Sequence, residues 1–217
     1  MNKTLRWILN IIVIGSMIYI GYPVLEWLGS AIQNKIIYTQ AENELRYTNE
    51  YDWIEITNTN INYPIAYKEN SNHYYLKHDI YGNENIHGAI FYDGSSEPYS
   101  SHTTIIYGHC MKDGSMFNNL HRFKNSEIKF RESELMVERK DGTTKYYQPL
   151  GVYVTNSDFF YMNLSKMERE EAIALIKEKS VYSDTGAMIT EDSEIICLMT
   201  CSYDNEGDKL FVFYVSE

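Results

Sequence analysis

Residues 193–201 have the sequence SEIICLMTC, an apolar run that ends in a cysteine. This run predicts a buried strand that carries the Cys201 thiol to its end. Residues 103–109, TTIIYGH, form a second apolar run, which ends in His109. A thiol and an imidazole at the ends of two strands are the pair that a cysteine nucleophile requires. An inert core cysteine is the commoner interpretation of a strand cysteine, and it stands as the alternative.

The composition is that of an acidic globular protein rich in aromatic residues. The chain has 217 residues, of which 20 are tyrosines, and its formal net charge is −11. This length accommodates one domain and an appendage. Tyrosine, isoleucine and valine favour β-structure, which suits a β-rich extracellular domain. The negative charge argues against a nucleic-acid partner, because binding to nucleic acids depends on basic side chains.

The N-terminal segment predicts a membrane anchor. Residues 7–25 are mostly apolar and carry no charge, which matches a bilayer-spanning helix in length. Lys3 and Arg6 precede this segment, so the positive-inside rule predicts residues 1–6 in the cytoplasm and the rest of this single-pass chain outside the cell membrane. A cleaved signal peptide is the alternative, but the apolar part is long for one and no clear Ala-x-Ala site follows it.

The pattern changes twice beyond the anchor. Residues 26–52 are polar and compatible with a helix, and we interpret them as a juxtamembrane helical stalk. From residue 53 to residue 217, short apolar runs alternate with turn residues, a pattern typical of a closed or nearly closed barrel of about eight strands. The predicted strands are 53–56, 59–65, 87–93, 103–109, 133–138, 144–147, 150–154, 193–201 and 210–215.

Two local signals refine this pattern. Asp141-Gly142 between two of the strands is a strong hairpin signal. A helix is predicted at 165–179, where Ser165 and Glu168 match a capping box and apolar residues recur near helical spacing.

Three regions of the chain resemble one known family. TNINYPI at 59–65 is similar to an early strand of that family. GAIFYD at 88–93, with IIYGHCM at 105–111 and MFNNL at 116–120, is similar to the region of its catalytic histidine. LMTCSY at 198–203 is similar to its nucleophile strand. The family is that of the class B sortases, the membrane-anchored cysteine transpeptidases of Gram-positive bacteria.

The resemblance covers roughly residues 50–217, in order and at family-like spacing. It implies a mainly β fold: an eight-stranded sortase-type β-barrel in a catalytic domain at 53–217. N-terminal helices and an inserted helix between the late strands belong to this fold. One transmembrane helix is expected to precede it.

The resemblance also implies a reaction. Class B sortases cleave a C-terminal sorting signal, typically of the Asn-Pro-x-Thr type, after the threonine, through a thioacyl intermediate on cysteine. They then transfer the protein to an amine of the peptidoglycan peptide. Cys201 is the implied nucleophile, and His109 is the implied proton donor and acceptor. The implied partners are secreted proteins with sorting signals and the wall amine, and neither residue's role needs a metal or an organic cofactor.

Lys209 departs from the family pattern. It stands where the family has an arginine that donates hydrogen bonds to the substrate and the developing oxyanion. Lysine keeps the charge but lacks the planar fork, and loss of one oxyanion donor costs about a hundredfold or more in rate. One alternative is therefore a sortase-like protein of weak or no activity that acts as a peptide-binding module, and another is a surface cysteine hydrolase. A solvated strand-edge lysine is the plainer interpretation of the side chain.

Cys110 is a second departure, at a position where the family usually has an asparagine. A disulfide with Cys201 requires Cα atoms within about 7 Å, and a free thiol turned away from the cleft is the alternative. Cys197 precedes Cys201 on the same strand and lies too far along it to bridge, so we interpret it as a core residue.

Further positions match the peptide groove of the family. Asn72 and Leu76 match a segment that lines the groove, and Thr200 flanks the nucleophile. The wall over the proline of the sorting signal is matched by Ser157, Tyr161 and Met162. Ordinary core packing is the alternative for the large apolar members of this set.

The remaining charged and histidine positions predict no metal centre. The five histidines other than His109 lie at scattered spacings in polar loops and form no ligand cluster. Asp204, Glu206 and Asp208 follow Cys201, where they disfavour a thiolate electrostatically. A solvated turn is the commoner interpretation of this loop, and a calcium site is the alternative.

Overall fold

The computed structural model describes residues 2–156, 163–183 and 186–216. The chain divides into two compact units, residues 1–40 and 41–217. Helix α1 spans Lys3–Leu45 and includes the predicted anchor and the predicted stalk as far as Leu45. It ends seven residues before the predicted end of the stalk at residue 52, because residues 46–51 form turns and bends and Asp52 begins the first strand. Among the described residues it is the one helix that is long and apolar enough to cross a membrane, by length and composition.

The second unit contains a closed barrel. The strands of its described residues are β1 (Asp52–Ile56), β2 (Asn62–Ala66), β3 (Ile90–Tyr92), β4 (Thr103–Tyr107), β5 (Leu135–Glu138), β6 (Thr144–Thr155), β7 (Ile195–Cys201) and β8 (Lys209–Ser216). Around the barrel they follow the order β1-β2-β3-β4-β7-β8-β6-β5. The β2–β3 and β4–β7 pairs are parallel, whereas the other neighbouring strands are antiparallel. The predicted mainly β, eight-stranded barrel is confirmed.

One predicted break between strands is wrong. Residues 144–147 and 150–154 belong to a single strand, the 12-residue β6. The register of β6 against β8 shifts between Pro149 and Gly151. A bulge at this point accommodates the proline, which cannot donate to the ladder, without ending the strand. The predicted hairpin is confirmed, because Gly142, at a φ of 88°, lies in the turn that joins β5 to β6.

Short helices fill the connections. Between β4 and β5 lie a 3-10 helix (Phe117–Leu120), α2 (His121–Lys124) and α3 (Glu127–Arg131). Helix α4 (Arg169–Lys179) is the expected insertion between β6 and β7. It begins later than predicted, because Glu168 is its extended N-cap residue and makes no side-chain capping bond. The predicted capping box is therefore wrong, although the helix itself is present.

The barrel core fixes the strand that carries the thiol. The side chains from Ile195 to Leu198 are fully buried, and those of the adjacent β8 segment, Leu210 to Val215, are fully buried as well. Full burial of each large apolar side chain stabilises the fold by roughly 1.5–3 kcal/mol. At the end of β7 the Cys201 side chain is exposed. The core therefore anchors β7 firmly and leaves its last side chain accessible.

Candidate active site

The register of two parallel strands brings His109 and Cys201 together. In β4 and β7, Tyr107 pairs with Met199, and the Gly108 amide donates to the Met199 carbonyl at 3.1 Å. Two residues beyond this pair, the chain reaches His109 on one side and Cys201 on the other. The predicted thiol and imidazole therefore lie at the same end of neighbouring strands.

The two cysteines of β7 lie in different environments. Cys201 is exposed, whereas Cys197 is fully buried. Burial raises the pKa of the Cys197 thiol well above its ordinary value, because a thiolate is poorly solvated in an apolar core. The expectation that Cys197 is a core residue is confirmed. Of the two thiols, only that of Cys201 is open to an approaching substrate.

A backbone carbonyl orients His109. The Nε2 atom of its ring lies 2.8 Å from the Leu76 carbonyl oxygen. A carbonyl can only accept, so the proton of the neutral ring lies on Nε2 and the Nδ1 lone pair remains available. Leu76 is half-buried. The sequence predicts it as a groove residue, but its main chain also holds the imidazole.

A glycine makes this contact sterically possible. Gly88 has a φ of +61°, and a Cβ atom there would lie 2.4 Å from the Tyr75 carbonyl oxygen and 3.2 Å from Cδ2 of His109. Both the backbone conformation and the lack of space require glycine. Gly88 therefore lets the Tyr75–Leu76 backbone approach the imidazole.

The residue before His109 is constrained as well. A Cβ atom on Gly108 would lie 2.5 Å from Cδ1 of Ile90 and 2.7 Å from Cδ2 of Phe117. The Phe117 amide donates to the His109 carbonyl at 2.9 Å. Close packing and this hydrogen bond fix the main chain on both sides of the imidazole.

Lys209 lies beside the thiol on the third strand. It is the first residue of β8 and pairs with Cys201 across the β7–β8 ladder. Burial lowers the pKa of the Lys209 ammonium. The three residues predicted as catalytic therefore occupy adjacent strand ends, and their catalytic roles remain predictions.

The predicted groove residues have different surroundings. Asn72 donates through Nδ2 to Oδ1 of Asp93 at 2.9 Å and accepts through Oδ1 from the Gly94 amide at 2.6 Å. The Asn72 side chain therefore stabilises the loop after β3. Its role in binding the substrate remains a prediction. Thr200 is 1% exposed, and its Oγ1 lacks a hydrogen-bond partner within the described residues. Since side chains alternate along a strand, Thr200 faces the opposite side of β7 from Cys201.

Three other groove predictions lie outside the described residues. They are Ser157, Tyr161 and Met162. The proposed wall over the proline of a sorting signal is therefore untested.

Two residues near the thiol were missed at the level of sequence. His121, grouped with the scattered histidines, places Nε2 3.0 Å from the Cys201 carbonyl oxygen. Its ring stacks on that of Tyr203, with centroids 5.6 Å apart and planes inclined by 23°. The Tyr203 hydroxyl donates to the Cys110 carbonyl at 2.5 Å. Burial, together with the contact to Cys110, raises the pKa of Tyr203 to about 12, so this phenol stays a donor.

Cys110 is a buried thiol next to this cluster. Its Sγ accepts a hydrogen bond from Nδ2 of Asn118 at 3.4 Å. Burial raises its pKa, which keeps it protonated and poorly nucleophilic. The three cysteines are free thiols. Of the two interpretations of Cys110, a disulfide with Cys201 or a free thiol, the structure therefore has the free thiol.

Two carboxylates of the acidic loop after Cys201 accept hydrogen bonds from protein side chains. Asp204 accepts from Nζ of Lys124 at 2.6 Å and from the Ser202 hydroxyl at 3.1 Å. Asp208 accepts from Nδ2 of Asn205 at 2.8 Å. No group of three or more His, Cys, Asp or Glu side chains among the described residues is arranged to hold a metal ion. Lys124 offsets part of the negative charge beside the thiol.

The comparisons with known proteins agree with this fold. The family model described as "Sortase domain" matches residues 54–216. The chain is 32% identical to Sortase B of Listeria monocytogenes over 162 residues, which are 72% of this chain and 64% of that protein. The match therefore spans less than two thirds of the length of this relative.

Two solved structures show the same architecture. Sortase B from Bacillus anthracis has a TM-score of 0.72 and 26% sequence identity, covering 87% of this chain and 98% of the other. A Staphylococcus aureus sortase B–substrate complex also has a TM-score of 0.72, at 20% identity, with coverages of 87% and 98%. With a family model that matches most of the chain and class B neighbours for its fold, the chain belongs to the sortase family, within class B.

Proposed function

We propose that this protein is a cysteine transpeptidase that cleaves a C-terminal sorting signal and transfers the carrier protein to an amine of the cell wall. The observation that carries the proposal is the register of β4, β7 and β8. It gathers the His109, Cys201 and Lys209 positions at one end of the barrel. A thiol, an imidazole and an ammonium at one strand edge suit acyl transfer through a thioester.

The first half of the proposed reaction forms the thioacyl enzyme. The Cys201 thiolate attacks the carbonyl carbon of the sorting-signal threonine, and a C–S bond forms. The tetrahedral intermediate then collapses with cleavage of the C–N bond, and the departing amine takes a proton from the His109 imidazolium. Because Nε2 faces the Leu76 carbonyl, Nδ1 is the nitrogen that exchanges this proton.

The second half releases the product. A wall amine attacks the thioester carbonyl, and His109 accepts a proton from the incoming nitrogen. Collapse of the second tetrahedral intermediate forms an amide and expels Cys201 as a thiolate. The net change is one amide exchanged for another, so no oxidant or cofactor enters the balance.

Lys209 is the proposed source of positive charge for the oxyanion. Its partnership with Cys201 across the ladder supports this role. A partly buried ammonium stabilises a developing negative charge more strongly than an ammonium in water does, because the local dielectric constant is lower. It supplies a point charge rather than the two parallel donors of a guanidinium, so we expect a slow chemical step.

The apolar helix supports a membrane location. We propose that residues 1–6 lie in the cytoplasm, that residues 7–25 span the membrane, and that the part of α1 from residue 26 to Leu45 forms a stalk. The catalytic domain at 53–217 then faces the exterior, where secreted clients and the peptidoglycan amine are met. The length and composition of the apolar helix support this arrangement, as does the charge before it.

A substrate panel tests the proposal. The full chain in detergent is incubated with Asn-Pro-x-Thr peptides, with and without a diaminopimelate-type or glycine-type amine. We expect a new amide at the threonine that depends on the added amine. Equal cleavage without an amine would instead identify a surface hydrolase, and binding without cleavage would identify a peptide-binding module.

A further inference from the structure

The backbone ladder that β4 and β7 share ends before it reaches the catalytic pair. In the described residues its last contacts are the Tyr107–Met199 pair and the hydrogen bond from the Gly108 amide to Met199. His109 and Cys201 lie beyond them. The relative position of thiol and imidazole therefore depends on contacts outside this ladder.

A first hydrogen bond connects the segment after His109 with the main chain of Cys201. After His109, the chain turns through the 3-10 helix, whose Phe117 amide is bonded to the His109 carbonyl, and enters α2. His121 at the start of α2 contacts the Cys201 carbonyl through Nε2 at 3.0 Å. This carbonyl only accepts, so Nε2 carries the proton.

A second hydrogen bond connects the segment after Cys201 with the main chain of Cys110. Tyr203, two residues after Cys201, donates its hydroxyl to the carbonyl of Cys110, the residue after His109. Because the His121 and Tyr203 rings stack on each other, the two hydrogen bonds form one unit. The segment after His109 thus contacts the main chain of Cys201, and the segment after Cys201 contacts the main chain of Cys110.

A salt bridge supports the same unit. Nζ of Lys124, at the end of α2, lies 2.6 Å from Oδ1 of Asp204 in the loop after Cys201. Helix α2 therefore contacts this segment through both its first and its last residue. Burial lowers the pKa of His121 and outweighs the opposing effect of the hydrogen bond to the Cys201 carbonyl; the nearby charges of Lys124 and Asp204 act in opposite directions. The ring therefore remains a neutral donor at neutral pH.

We propose that His121 and Tyr203 are positioning residues, which together set the distance and orientation between the Cys201 thiol and the His109 imidazole. The inference rests on the function proposed above and deepens it. Both side chains act through main-chain carbonyls, His121 on Cys201 itself and Tyr203 on the residue after His109. A misplacement of about 1 Å in a catalytic geometry costs up to about a hundredfold in rate.

Conservative variants separate the parts of this unit. His121→Phe keeps a ring for the stack and removes the donor, whereas His121→Gln keeps an N–H donor. Tyr203→Phe removes only the hydroxyl of a side chain that is 59% exposed. The control is Tyr214→Phe, which loses a fully buried hydroxyl bonded to Ser133 at 2.8 Å and so tests for a general loss of stability.

Two measurements use the full chain in detergent. The first is the second-order rate constant for alkylation of Cys201 by iodoacetamide at pH 7, with the modified residue located by mass spectrometry. The second is kcat and KM on a sorting peptide with an amine. We expect His121→Phe and Tyr203→Phe to lower both the alkylation rate and kcat by about tenfold or more, with KM within about twofold of the wild-type value. His121→Gln should recover most of the loss.

The alkylation measurement needs no substrate, so it tests the positioning unit even if the wild-type protein cleaves no peptide. Slower alkylation in both variants together with an inactive wild type would support the positioning unit and reject the transpeptidase. Alkylation of both variants at the rates of the wild type and of Tyr214→Phe would overturn the inference, whatever the peptide assay gives.

Discussion

The ring of His109 lies directly against the position of Gly88. A Cβ atom at Gly88 would lie 3.2 Å from Cδ2 of the imidazole and 2.4 Å from the Tyr75 carbonyl oxygen. The residue also has a φ of +61°, a conformation that costs an L-residue about 1–2 kcal/mol. This glycine therefore affects both folding and the placement of the proposed proton carrier.

Gly88→Ala should lower both stability and turnover. The methyl group forces the Tyr75–Leu76 backbone away from His109, and that backbone holds Nε2. We expect a loss of about 2 kcal/mol or more in the free energy of unfolding, from backbone strain and overpacking together. Turnover should fall by about tenfold or more. Denaturant titration and peptide-cleavage kinetics measure the two effects.

Gly142→Ala is the matched control for this change. Gly142 also has a positive φ, +88°, but a Cβ atom there would meet nothing within 4 Å. It should show the cost of the conformation without the clash, and it should leave turnover unchanged. Equal turnover in the two variants would mean that Gly88 does not position His109.

The proposed catalytic pair could be predicted from the sequence, whereas the residues that contact its main chain could not. Cys201 and His109 each end a continuous apolar run, and parallel neighbouring strands bring such ends together. His121 belongs to a four-residue helix after a 3-10 turn. So short a helix has no periodicity to detect, and its contact with the Cys201 carbonyl depends on how the loop folds back.

The strand pattern illustrates the same limit. The alternation of apolar residues predicts most of the barrel, but Pro149 and Gly151 indicate a break within β6. Tertiary packing overrides this signal, because β6 pairs with β8 on both sides of the bulge. A Cβ atom at Gly151 would lie 2.2 Å from the Ser180 hydroxyl. The glycine therefore marks a close approach to the segment after α4 rather than a turn.

The two cysteines of β7 should respond differently to alanine substitution. Cys201→Ala should abolish cleavage of a sorting peptide and leave folding intact, since the side chain is exposed. Cys197→Ala should retain activity and lose about 1 kcal/mol of stability, because it leaves a small cavity in the core. Mass spectrometry of the trapped intermediate checks the assignment. A thioacyl adduct on Cys110 or Cys197 rather than Cys201 would refute it.

Protonation of Glu194, the residue before β7, should lower the stability of the fold in acid. Burial alone would raise the pKa of this carboxyl, but hydrogen bonds from Lys145 and Tyr147 and the charge of Arg139 lower it overall. A carboxyl whose pKa is lower in the folded state contributes stability at neutral pH. That contribution is lost as the pH falls through the folded-state pKa.

Glu194→Gln should therefore reduce the fall in Tm between pH 7 and pH 3, and the variant should already be less stable than the wild type at pH 7. Thermal unfolding at several pH values measures this. The control is Glu191→Gln, a change at an exposed carboxylate three residues away. If Glu194→Gln and Glu191→Gln have the same pH dependence, the ion-pair network at Glu194 contributes little to acid unfolding.

The proposed topology can be tested on intact protoplasts. The apolar segment and the preceding Lys3 and Arg6 predict a domain outside the membrane. Protease added to protoplasts should therefore digest residues 53–217. Full protection of this domain, with digestion only after lysis, would reject the orientation.

The proposed oxyanion role of Lys209 predicts how its substitution changes the rate of the chemical step. It pairs with Cys201 at the start of β8, where burial lowers the pKa of its ammonium. If it stabilises the oxyanion, Lys209→Arg should accelerate acylation, because a guanidinium can donate to a substrate carbonyl and to the oxyanion together. Lys209→Ala should slow acylation by about a hundredfold, the usual loss on removing one oxyanion donor.

Single-turnover acylation of the three proteins on one peptide measures this step without interference from product release. The wild type should lie between the two variants. Its acylation rate should also fall at alkaline pH, because the lowered pKa of Lys209 brings loss of the ammonium charge to a lower pH than for an ordinary lysine. Lys209→Arg should remove that alkaline loss, since a guanidinium stays protonated. Equal acylation rates for wild type, arginine and alanine would make Lys209 a structural lysine of the strand end and leave oxyanion stabilisation to main-chain amides.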